Sequence, residues 1–232
     1  MFQSVRHWWG SGRGKVTARL FVFEFVVVMA GVLSAQALAN WVAQRGALQE
    51  MEDARTRTLH EQSGNLANAQ AWLAAIPCLD RRMQEIMRAA ASGTIGPSQV
   101  ERPKLADFVE SRVDDQSELL MRARYGDPLV DGYQAMRGSI VFAANDVGTI
   151  VHSWGRLSLG DPRLGTVSEA DRGAVRIAAA DIRAELRGLR YALADFVAAA
   201  GRSHVAISDE TMTRPPRTCL EIWRAGAVAI PR

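Results

Sequence analysis

Residues 20 to 42 read LFVFEFVVVMAGVLSAQALANWV, with Glu24 as the one ionisable group in the run. At about 1.5 Å per residue this stretch is roughly 34 Å long as a helix, enough to cross a hydrocarbon core of about 30 Å. Hydrocarbon offers no hydrogen bond to a backbone amide, so a single segment that crosses it has to be helical. Ala35, Ala37 and Ala39 imitate the end of a cleavable leader. The run is longer than a leader core, however, and the helical pattern continues through the alanines, so it reads as a retained anchor.

The lysines and arginines that flank a crossing set its direction. Residues 1 to 19 carry Arg6, Arg13, Lys15 and Arg19 and no acid, whereas Ala43 to Gln62 carries Arg45, Arg55 and Arg57 among Glu50, Glu52, Asp53 and Glu61. This bias keeps the N-terminus in the cytoplasm, with Trp8, Trp9 and Trp41 as interfacial anchors. The whole chain has 28 basic and 25 acidic residues, and setting aside the tail and Glu24 leaves 24 of each. A large domain with no net charge argues against a nucleic-acid partner.

Glu24 lies five residues past Arg19, roughly 7 Å along the axis, so its carboxylate can reach the headgroups. The same helix face carries Val28, Gly31, Ala35 and Leu38. Gly31 and Ala35 form a pair of small residues one turn apart, which lets another membrane helix approach closely. Glu24, Gly31 and Ala35 are therefore the expected helix-pairing face, toward a second copy or another membrane protein.

The stretch EFVVVMAGVLSAQALANWVAQR, Glu24 to Arg45, resembles the N-terminal segment of an uncharacterised family of bacterial single-pass membrane proteins, with its Glu, Val-rich run, Gly-Val, small residues, Asn-Trp and Arg. The resemblance implies a membrane anchor, and it lends no activity. FVFEFVVVMAG is also similar to the start of a type IV pilin. Aligning Glu24 on the pilin Glu puts Arg19 where processing requires glycine, and the helical remainder lacks the strand-rich head of a pilin.

Past Trp41 the helix is expected to continue to Ile76 and to stop at Pro77, since the residue before a proline is biased away from helix. Gln44 to Gln62 is polar all round and reads as a stalk, whereas Leu59, Gln62, Leu66, Ala69, Leu73 and Ile76 recur at helical spacing and should bury a stripe. A short helix from Leu79 to Ala91 is expected to follow, then a loop over 93–103, and weak helices at Lys104 to Val113 and Gln116 to Tyr125. Asp127 as N-cap with Pro128 at the first helical position opens the strongest periodic run, with Leu129, Tyr133, Met136, Ile140, Ala143, Val147, Ile150, Trp154 and Leu157 alternating by four and three. Gly160-Asp161-Pro162 repeats that turn chemistry. Ser168 and Asp171 form a capping-box start for a last helix to about Gly201. The expected fold is all-α: a transmembrane helix continuing into an up-and-down bundle, with His204 to Arg232 as a C-terminal strap. The expected divisions are a basic cytoplasmic tail (1–19), the membrane helix (20–42), the stalk (43–62) and the periplasmic bundle (63–232).

Cys78 and Cys219 are the only cysteines. In an oxidising compartment an even count suggests a disulfide tying the strap to the long helix. No catalytic, cofactor or metal motif survives inspection. GSGRGK has Val16 where a phosphate loop needs Ser or Thr, and His7, His60, His152 and His204 have no partner at metal-ligand spacing. The composition and motifs thus point to a non-enzymatic, membrane-anchored interaction or scaffold protein whose partners are the bilayer and another membrane helix. The alternative is a sensory ectodomain that binds a small ligand between its helices and signals through a partner.

Overall fold

The computed structural model describes residues 12–103 and 107–207, the first seven of them by backbone alone. Among the described residues the structure is all-α, with no strand. It comprises α1 (Gly12–Ser92), α2 (Pro97–Val100), α3 (Asp115–Tyr125), α4 (Asp127–Leu157) and α5 (Glu169–Arg202), with a 3-10 turn at Ser158–Gly160. The chain divides into two compact units, residues 1–52 and 53–232.

In the first unit α1 is helical from Gly12, and every residue from Leu20 to Val42 is exposed. In the second unit the rest of α1, α4 and α5 enclose the core. Their buried stripes are Leu66, Ala69, Trp72, Ile76, Leu79, Met83, Ile86 and Ala90 on α1, Val130 to Leu157 on α4 at alternating spacings of three and four, and Val175 to Ala200 on α5. Contacts between α4 and α5 run in opposite order along the two helices: Gly132 meets Ser203, Gly188 meets Asp146, and Asp181 pairs with Arg156 at 3.6 Å. The two helices are therefore antiparallel. Across the bundle, Arg183 on α5 donates from Nε to Asp80 Oδ1 on α1 at 2.6 Å, and Gln84 Nε2 donates to Asp80 Oδ2 at 2.7 Å.

The expected stop at Pro77 does not occur, and the separate helix expected from Leu79 is the continuation of α1. A proline inside a helix removes one hydrogen bond and costs about 3 kcal/mol or more. The buried stripe outweighs this, because it continues across the proline with Ile76 and Leu79 on either side of it. Full burial of each Leu, Ile or Met contributes about 1.5–3 kcal/mol. Pro77 itself is exposed. The stretch read as polar all round is not so, since Ala54, Thr58 and Gln62 are buried. Small side chains at i and i+4 give that flank a face that packs.

The weak helix expected over Lys104 to Val113 is also absent. Residues 107–114 have no regular secondary structure, and 104–106 lie outside the described residues. Side-chain amides on α1 hold this segment instead. Asn65 donates to the Val109 carbonyl at 2.8 Å and accepts from the Val109 amide at 2.9 Å, Asn68 donates to the Asp107 carbonyl at 3.0 Å, and Gln62 donates to Ser111 Oγ at 3.1 Å. Positions 62, 65 and 68 thus meet 111, 109 and 107, so the segment runs antiparallel to α1. A backbone whose amides are served from a neighbouring helix has no need of its own helical bonds.

Within 93–103, read as a loop, one turn of helix forms as α2, with Pro97 in its first turn; it ends where Trp154 Nε1 donates to the Val100 carbonyl at 2.9 Å. Asp114 caps α3 by accepting from the Ser117 amide at 2.9 Å. Gly126 alone joins α3 to α4 at φ 88°, a conformation that glycine adopts without strain, so the cap of α4 is Gly126 and Asp127 is its first helical residue. Arg122 clamps that turn by donating to Asp127 at 2.8 Å and to Asp131 at 3.0 Å. Ser168 and Asp171 form the expected reciprocal cap of α5. The C-terminal strap lies outside the described residues beyond Ile207.

Candidate functional site

Two surfaces stand out, one in each unit. The first is the apolar length of α1, the one helix among the described residues that is long and apolar enough to cross a membrane. A helix that folds in water turns its large apolar side chains inward, yet here Phe21 is 69% exposed, Phe23 68% and Val28 62%. Glu24, Gly31 and Ala35 are exposed on this length, and a Cβ built at Gly31 meets nothing within 4 Å. Nothing among the described residues covers the face. At the far end Arg45 stacks its guanidinium 4.4 Å from the Trp41 ring centre, a pairing of the kind that anchors helices at membrane interfaces.

The second surface is a groove of about 620 Å³ in the bundle, which the sequence does not reveal. α1 supplies Trp72 and Leu79, α4 supplies Val147, Ile150, Val151 and Trp154, and the segment around the amide ladder supplies Phe108 as a wall and Arg102 and Asp107 as charged members of the lining. The groove is of the size that holds small molecules or a few large side chains. Trp154 is read from periodicity as core, Trp72 is not, and both are buried. They line a groove because Arg102 and Pro103 on one side and Asp107 and Phe108 on the other are not helical, and no periodic signal announces that.

Cys78 lies on α1, half-buried, directly before the groove residue Leu79. No cysteine among the described residues is a free thiol. Cys219 lies outside the described residues.

Two carboxyls of the bundle titrate away from their ordinary values, and both face α5. The Arg183 guanidinium holds the Asp80 carboxyl below its ordinary value, and partial burial together with Glu185 raises that of Asp146. Asp80 faces α5, and Asp146 turns toward Gly188. No group of three metal-ligating side chains occurs among the described residues. Comparison of the chain with protein-family models, curated proteins and solved structures finds no match.

Proposed function

We propose that this chain is a non-catalytic, membrane-anchored interaction protein, held in a bacterial inner membrane by Leu20 to Val42 with its helical bundle on the periplasmic side. The observation that carries this reading is the apolar length of α1, which none of the described residues covers. Such a surface is stable against lipid or against another membrane helix, and the Glu24, Gly31, Ala35 face suits the latter. Crosslinking in native membranes tests it. A discrete adduct that is lost on Gly31→Ile, with the bundle still folded, is expected, whereas recovery of monomer alone removes the reading.

A Cys78–Cys219 disulfide accompanies this placement. Its support is the engagement of Cys78, the even cysteine count and the oxidising compartment. It closes a loop with 140 intervening residues, worth about 4–5 kcal/mol on a chain-entropy argument. Peptide mapping without reductant should recover the joined Cys78 and Cys219 peptides.

A further inference from the structure

We infer that the groove between α1 and α4 is the seat of this chain's own C-terminal segment, with Leu220, Ile222 and Trp223 laid against the Trp72, Trp154 and Phe108 surface. The inference rests on the Cys78–Cys219 bond proposed above. Forming that bond takes two protons and two electrons from the thiols, and a disulfide-bearing carrier accepts both as it becomes a dithiol.

Position supports the seat first. Cys78 directly precedes Leu79 of the groove. It stands two residues before Asp80, about 200° round the helix. Asp80 faces α5 through Arg183, so Cys78 is on the flank of α1 turned away from α5. A segment fixed to Cys78 therefore begins beside the groove, on the side where α5 does not obstruct it.

Reach supports it next. Ser203, just past α5, meets Gly132 near the start of α4. The groove is centred near Gly148 on the same helix, sixteen residues or about 24 Å farther along the axis. Eleven residues lie between Ile207 and Cys219, and the twelve steps at about 3.3 Å each span up to roughly 40 Å. The connection is long enough to return along α4. Pro215-Pro216 within it favours the extended backbone that such a return needs.

Chemistry supports it last. The segment reads CLEIWRA from Cys219 to Ala225, with three large apolar residues close together. Its charges, Glu221 and Arg224, are opposite in sign to Arg102 and Asp107 of the groove. An apolar wall flanked by one cation and one anion matches an apolar segment that carries one anion and one cation.

The test replaces Trp223 in the full chain, in membranes, with the photo-crosslinking residue benzoylphenylalanine, which keeps an aromatic bulk. Illumination should join it to Val147, Val151 or Phe108, as read by peptide mass. Adducts confined to α5, to lipid or to a second copy overturn the inference. Mapping the same sample without reductant reads the disulfide separately: a Cys78–Cys219 bond with no groove adduct defeats the docking alone, and absence of the bond defeats the reading beneath it. In a second measurement, Trp223→Ala should raise the emission of an apolar fluorescent dye severalfold over the unaltered chain. Equal dye binding, or a small metabolite that copurifies in the groove of the unaltered chain, counts against the proposal.

Discussion

At the scale of single residues, the most consequential side chain is Asn65, which serves both the amide and the carbonyl of Val109. Asn65→Ala removes both partners of a part-buried backbone unit, and a loss of about 1–2 kcal/mol is expected, read as a shift in the denaturant midpoint. Its partner lies 44 residues away. That separation explains why the ladder is invisible in the sequence while the Ser168–Asp171 cap, whose members are three residues apart, is legible. Asp80 provides a pH test. Arg183 and Gln84 lower its carboxyl below the ordinary value of 3.8. A lowered folded value means that the stabilisation is complete above the unfolded value and is lost as pH falls through the folded one. Asp80→Asn should therefore cost about 1 kcal/mol at pH 7, and the difference from the unaltered chain should shrink below about pH 4.

At the scale of elements, period decides what can be read. α4 and α5 alternate apolar residues by four and three over many turns, and both form as that pattern requires. α1 shows the limit of local rules. Pro77 is a helix stop in isolation, yet the apolar spacing continues from Ile76 to Leu79 and Met83, and burial of that stripe prevails. The continuing period is the signal that outranks the proline. The consequence is measurable: Pro77→Ala restores an amide donor at an exposed site in an otherwise intact helix, so it should stabilise the bundle by about 1–2 kcal/mol in chemical unfolding. A destabilised variant would show that the fold depends on the proline. The segment from Lys104 to Val113 fails in the opposite direction, since its helical pattern is weak and amides on α1 take over its backbone at Asp107 and Val109.

For the whole molecule, the all-α bundle and the single apolar helix follow from patterns spread over long stretches, and the sequence displays both. The groove is an outcome of packing between elements distant in sequence, and neither Trp72 nor Trp154 advertises it. The Glu24, Gly31, Ala35 face is legible as a stripe, and its exposure in the structure leaves it open to lipid or to another helix. The proposed disulfide and the seat of the C-terminal segment depend on the bundle standing on the far side of a membrane from the N-terminus. The disulfide needs the oxidising side, and the seat of the C-terminal segment needs the disulfide. A reporter enzyme that is active only outside the cytoplasm, fused after Arg232, tests that placement directly. Full reporter activity is expected. Activity seen only with a reporter that works inside the cytoplasm would contradict it.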